Sequence, residues 1–135
     1  MQFSVNYIAR VTIFLQVGND SAYINGEQVH VDEPPFISSG SVMVPLRFVV
    51  SSFKAQLDWD SIFQIVTLTI GNNRMRVQIG NLKADVNGKL VMLPVSPILK
   101  NGVTFVPLRF IAENFGADVK WDPTLKAVSI VYPKP

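Results

Sequence analysis

The chain has 135 residues, of which 48% are hydrophobic and 16% charged, with a formal net charge of +2. That composition excludes disorder, and its scattered Lys and Arg offer no basic face for reading nucleic acid. With no cysteine, disulfides and thiolate metal sites are excluded. No run approaches the ~20 apolar residues of a membrane span; Ile8–Val17 is broken by Arg10, Thr12 and Gln16. The mean hydropathy of +0.28 is high for so small a chain, which points to apolar surface covered by a partner or a neighbouring domain. Met1-Gln2-Phe3-Ser4 shows no basic n-region and no small-residue cleavage site, so no signal peptide is expected here.

Residues 1–10 open with Phe3, Val5 and Tyr7 in alternation, the pattern of a strand standing in for the last strand of an absent preceding repeat. A hairpin follows. Ala22-Tyr23-Ile24 runs into Asn25-Gly26, then Val29 and Val31 alternate. Asn-Gly between alternating apolar residues predicts a type I′ turn, because both central positions need positive φ. After Pro34-Pro35 a tight turn at Ser38-Ser39-Gly40-Ser41 joins Phe36-Ile37 to Val42-Met43-Val44. The period then changes from 2 to 3.6. Pro45 suits the first helical position, and Leu46, Val49, Val50 and Phe53 form one apolar stripe on a helix of about ten residues. So short a helix has to be held by packing on a sheet. Ala55, Leu57 and Trp59 alternate into a turn at Asp60-Ser61, and Val66, Leu68 and Ile70 alternate out of it.

From there the pattern repeats at an offset of 62 residues without insertion or deletion. The second copy has Met75, Val77 and Ile79, then Val86-Asn87-Gly88, then Val91 and Leu93. A link with Pro94 and Pro97 leads to the turn Lys100-Asn101-Gly102-Val103 between Ile98-Leu99 and Thr104-Phe105-Val106. The stripe Leu108, Ile111, Ala112, Phe115 ends at Gly116, a better helix stop than Lys54 in the first copy. Ala117, Val119 and Trp121 lead to Asp122-Pro123-Thr124 and out through Val128, Ile130 and Tyr132. One supersecondary unit is therefore used twice. Only Gly71-Asn72-Asn73-Arg74 separates Ile70 from Met75, too little for a flexible linker. One compact body over 1–135 is expected, with repeat one at about 11–73 and repeat two at about 74–135. Its fold class is α+β: two interlocked repeats of antiparallel strands, each with one short helix packed on the sheet.

The ordered motifs carry a resemblance. Asn25-Gly26, Pro34-Pro35-Phe36-Ile37, the Gly40 turn, Val44-Pro45-Leu46-Arg47-Phe48 and Trp59-Asp60 come in the order and spacing of their second-copy counterparts, which include Val106-Pro107-Leu108-Arg109-Phe110-Ile111-Ala112-Glu113 and Trp121-Asp122-Pro123. Over about residues 15–132 the chain resembles the copper amine oxidase N-terminal-domain-like family, also called stalk domains. The resemblance implies a small antiparallel sheet curled around a short helix in each unit, and an exported bacterial protein whose other domains anchor to the surface or act on the wall. The first copy departs from the pattern with Val50-Ser51-Ser52 where Ala-Glu is usual, and with Ser61 where Pro is usual. The family name invokes copper, yet copper(II) favours several imidazoles and His30 is the single histidine. The Asn-Tyr-Asp/Glu-Tyr motif of the quinone cofactor is not matched by Asn6-Tyr7-Ile8-Ala9.

Repetition acts as an internal control, because a residue kept in both copies serves the unit's architecture before any single active site. Pro45, Leu46, Arg47, Phe48, Trp59 and Asp60, with Pro107, Leu108, Arg109, Phe110, Trp121 and Asp122, are read as such a structural signature. Arg47 and Arg109, opposite the apolar stripe, suit an anion or carboxylate-sugar contact. The favoured reading is a fork bonded to a turn carbonyl or to a carboxylate such as Asp60 or Asp122, so that Arg109→Ala would destabilise the fold. Trp59 and Trp121 suit sugar stacking, but share the parity of Leu57 and Val119, which places them on the inward face. Burial there would make Trp121→Ala cost about 3–5 kcal/mol. Tyr23, Phe36 and Tyr132 are the candidates for ligand contact. His30, replaced by Met92 in the second copy, reads as an edge histidine. Asp58-Trp59-Asp60 falls short of the ~6–8 oxygens calcium requires. No catalytic, cofactor or metal residue is assigned. The expected role is a non-catalytic stalk, spacer or protein-interaction module of a secreted or cell-surface bacterial protein, its partners being other domains of the precursor or envelope proteins. The alternative is a carbohydrate-binding module for wall or plant polysaccharide, and retardation of the domain in a glycan-loaded gel separates the two.

Overall fold

A computed structural model describes residues 10–135, so the strand expected within residues 1–10 lies outside the described residues. The first half runs β1 (Val11–Gln16), β2 (Ser21–Ile24), β3 (Glu27–His30), β4 (Phe36–Ser38), β5 (Ser41–Pro45), α1 (Leu46–Phe53), β6 (Gln56–Asp60) and β7 (Ile65–Ile70). The second runs β8 (Asn73–Gln78), β9 (Lys83–Val86), β10 (Lys89–Met92), β11 (Ile98–Lys100), β12 (Val103–Pro107), α2 (Leu108–Asn114), β13 (Asp118–Asp122) and β14 (Ala127–Tyr132). Every strand in one half has its counterpart at the 62-residue offset. The architecture is α+β, with mostly antiparallel strands and two short helices.

The described residues form three sheets, in the orders β13-β14-β1-β2-β3, β10-β9-β8-β7-β6 and β11-β12-β5-β4. The first joins the two ends of the described segment: β1 lies antiparallel to β14, with Ile13 opposite Ile130 and Leu15 opposite Val128. The second pairs β7 with β8 in the equivalent way, Leu68 opposite Met75. In the third, Val44 faces its own counterpart Val106, while Pro45 faces Phe105 and Met43 faces Pro107. Such reciprocity is what a two-fold axis between Val44 and Val106 produces.

Turn chemistry explains the hairpins. Asn25 and Gly26 have φ of 53° and 80°, Asn87 and Gly88 54° and 85°, the pair of positive values a type I′ turn demands. Each Asn also bonds across the sheet: Asn25 Oδ1 accepts from the Thr12 N–H at 2.9 Å, and Asn87 Oδ1 from the Arg74 N–H at 2.8 Å. Both helices are shorter than the periodicity predicts, and neither proline is helical. Pro45 (φ −58°, ψ 135°) and Pro107 (φ −73°, ψ 111°) end their strands and precede the first helical residue. The β5–β12 ladder holds them extended, so each helix starts one residue later. Lys54 takes the left-handed conformation (φ 53°) that Gly116 (φ 92°) fills in the second copy. Ala55 and Ala117 then donate to Val50 O at 3.1 Å and Ala112 O at 2.9 Å, closing both helices alike.

One buried apolar cluster draws on both halves, including Ile13, Leu15, Val44, Val49, Leu68, Met75, Val106, Leu108, Ile111 and Ile130. Phe105 and Met43, buried next to Val106 and Val44 in sequence, alternate to the other face of the middle sheet. There Phe36 meets Phe105 edge-on with ring centroids 4.9 Å apart.

Candidate functional site

The signature residues divide by environment. Pro45, Leu46, Phe48, Pro107 and Leu108 are buried and Phe110 is half-buried, whereas Arg47, Arg109, Asp60, Asp122 and both tryptophans are exposed. Asp60 Oδ1 accepts from the backbone N–H of Ile62 (2.9 Å) and Phe63 (3.1 Å), and Asp122 Oδ1 from Thr124 (2.9 Å) and Leu125 (3.1 Å). Each carboxylate folds the four-residue turn after it. Asp60→Ala and Asp122→Ala should each lower stability by about 0.5–1.5 kcal/mol, since water replaces the lost acceptor only in part. Urea midpoints measure this, and a cost confined to one aspartate would contradict equal roles.

The arginines do not meet those aspartates. Arg47 Nε lies 3.6 Å from Asp32 Oδ2, and Arg109 Nη1 lies 3.5 Å from Glu113 Oε2 one helical turn on. Their side chains are 82% and 53% exposed, because the face opposite the apolar stripe turns to solvent. Pairs so exposed stabilise little, and Arg47→Ala or Arg109→Ala should change stability by less than ~1 kcal/mol in chemical denaturation. The expected destabilisation on removing Arg109 is corrected accordingly.

The tryptophans are not core residues. Trp59 is 47% exposed and Trp121 37%. Parity assigns Trp121 to the face of Val119, which is buried, but does not say how far cover extends along the strand. A helix of seven residues spans about 10 Å, whereas a strand of five runs about 16 Å. Cover over Val119 therefore gives out before Trp121, and Trp121→Ala should cost less than the ~3–5 kcal/mol of a fully buried ring. In the first copy Leu57 is exposed as well, along with every residue of β6. The helices pack differently too: α2 lies chiefly on β5 and β13, α1 on β5, β12 and β1.

Beyond the covered part of β13 an open cleft of about 550 Å³ lies between α2 and the β4–β5 hairpin of the first half. Ile37 and Val42 form the hairpin wall, Val119 and Trp121 the strand wall, and Arg109 and Glu113 the helix rim. Arg47 sits instead in a hollow of about 210 Å³ with His30 and Asp32. His30 is exposed on the edge strand β3, opposite Ser21. Among the described residues no group of three or more His, Cys, Asp or Glu is placed to hold a metal.

Tyr23, Phe36 and Tyr132 do not gather. Tyr23 is 41% exposed on β2, beside Phe14 at 6.3 Å. Phe36 is packed on Phe105, with Lys100 Nζ 4.2 Å from its ring centre, and Tyr132 lies edge-on to Phe53 at 5.3 Å. None of the three lines the cleft.

Sequence reasoning missed two glutamines. Gln16 Nε2 donates to Leu125 O and Gln78 Nε2 to Phe63 O, both at 2.8 Å. Each binds the closing turn of the other half. Their identity at the 62-residue offset is the signal that finds them. Buried Ser52 was also absent from the predicted stripe; its Oγ donates to Phe48 O at 2.6 Å, as Asn114 Nδ2 donates to Phe110 O at 2.8 Å.

Compared with known proteins, the chain matches the family model described as copper amine oxidase N-terminal domain over residues 7–64 and again over 23–130. A primary amine oxidase of Klebsiella aerogenes is 35% identical over 85 residues, which are 62% of this chain and 11% of that protein. A protease inhibitor of Brevibacillus choshinensis is 28% identical over 113 residues, 82% of this chain and 33% of that protein. The matched region is thus at most a third of either relative.

Proposed function

Because the chain belongs to the copper amine oxidase N-terminal domain family, we propose that it is a non-catalytic module that spaces its neighbours and presents one binding face. Two interlocked repeats, about 11–73 and about 74–135, make up its single body over 1–135. The observation that carries this reading is reciprocity. Asn25 and Asn87, and Asp60 and Asp122, make the same structural bonds in both copies, and Gln16 and Gln78 make theirs across to the opposite half. A residue committed to such a bond in both copies is not free to serve one reaction centre. Copper finds no fitting donor set, since copper(II) favours several imidazoles and the chain has only His30.

An exported bacterial cell-envelope setting belongs to the same proposal and rests on the family resemblance. Other domains of a longer precursor or envelope proteins are the natural neighbours, and the apolar side chains exposed on β6, Leu57 and Trp59, suit such contacts. Cell fractionation should recover the native protein from the medium or the envelope. Recovery from the cytoplasm alone would contradict this part.

Carbohydrate binding is favoured over bare spacing by the cleft at Trp121. Inhibition of a protease, the activity by which one relative is named, gains no similar support. The exposed apolar turn at Ile62 and Phe63 is held folded by Asp60 and not in the extended form of a segment laid along a protease cleft. The experiment is incubation of the domain with polysaccharides and with a primary amine. Both should come back unaltered, with neither new reducing ends nor hydrogen peroxide. Turnover of either would overturn the non-catalytic reading.

A further inference from the structure

Two copies on one backbone plan make their differences informative. Glu113 stands where the first copy has Ser51. It meets Arg109 at 3.5 Å, and both line the cleft that also contains the indole of Trp121. A charged pair and a half-exposed aromatic on one open hollow are therefore a property of the second copy.

We propose that this cleft binds one pyranose ring of a neutral polysaccharide. Trp121 lies against the C–H face of the ring, and Arg109 with Glu113 engages two neighbouring hydroxyls. The assignment rests on the module being a binding one and adds its site and ligand class. An indole is a broad apolar plate with a negative face, which suits the C–H groups that a sugar ring turns to one side. Hydroxyls both donate and accept, whereas a guanidinium only donates and an ionised carboxylate only accepts. Adjacent hydroxyls can therefore bond to both members of the pair without separating them. The pair also sets the charge of the ligand. Arg109 and Glu113 largely cancel at the rim, so an anionic sugar meets no net positive charge there to attract it. A volume of about 550 Å³ falls among small-ligand sites of roughly 300–1,000 Å³.

In the first copy these features are separated. Arg47 is turned to Asp32 at 3.6 Å, Ser51 supplies no charge, and Trp59 lies on a strand exposed throughout. The described residues therefore offer one such sugar site.

The test is affinity electrophoresis of the chain through gels cast with hydroxyethyl cellulose, xylan or glucomannan, and with polygalacturonate as the anionic counterpart. At least one neutral polymer should retard the protein and polygalacturonate should not. Trp121→Ala and Glu113→Ser should each weaken retention at least tenfold, while Trp59→Ala leaves it unchanged. Glu113 is a half-exposed helix residue, so its variant keeps the fold even if Trp121→Ala melts early. Retention untouched by Glu113→Ser and Trp121→Ala would overturn this cleft and leave the binding-module reading standing. Retention by none of the four polymers would overturn this cleft and the carbohydrate-binding reading with it, and retention by polygalacturonate alone would overturn the neutral-ligand assignment.

Discussion

Replacing Phe105 by alanine should destabilise the domain by about 3–5 kcal/mol, the cost of an aromatic cavity in a packed interior. Phe105 is 1% exposed and among the largest side chains fully removed from water. It sits on β12 between Ile98 of β11 and Pro45 of β5, and its ring closes edge-on against Phe36. Pro45 is rigid and held in the ladder, and Met43, two residues before it on the same strand face, is 0% exposed. Urea unfolding followed by tryptophan fluorescence should show a lower midpoint with an unchanged slope. A loss below ~1 kcal/mol would show that the far face of the middle sheet is not a packed interior.

Ending the chain after Lys126 should abolish the cooperative fold altogether, in residues 10–73 as much as in the second half. β14 is the strand between β13 and β1. Removing it strips Ala127, Val128 and Ile130 from the core, residues 1%, 4% and 1% exposed. It also leaves β1 without the partner that pairs it from Val11 to Gln16. Lost side-chain burial at about 1.5–3 kcal/mol per large apolar residue, together with a lost ladder, approaches the ~5–15 kcal/mol of a whole domain. Circular dichroism melting should show no cooperative transition in the truncated chain. A sharp transition retaining half the native signal would mean that the first repeat folds by itself.

What could be read from the sequence was local. Asn25-Gly26 and Asn87-Gly88 announce their turns because few other residues tolerate those φ values. The stripe Leu46, Val49, Val50, Phe53 announces its helix because burial on one face imposes the 3.6 period. Strand β1 was not expected, although its counterpart through Met75 and Val77 was, and the offset alone points to it. The pairing of β1 with β14 joins residues more than a hundred positions apart and is decided by packing, which no local pattern encodes. Side-chain partners failed for a related reason. Parity gave the face of Trp121 but not the length of the helix over it. Asp60 and Asp122, the nominated partners of the arginines, were already satisfied by the turns they fold. Glu113, four residues beyond Arg109, was readable as a helical ion pair. The cleft was not, because its walls come from opposite halves of the chain.

Each of the two large sheets holds one tryptophan, Trp59 on β6 and Trp121 on β13, so each can report on its own sheet. Urea unfolding of Trp59→Phe and Trp121→Phe, each followed by the remaining indole and by circular dichroism, should give one transition per variant in which both signals coincide. If the indole of either variant changed at a urea concentration where circular dichroism still reported half the native structure, the two halves would be independent and the shared scaffold would be refuted.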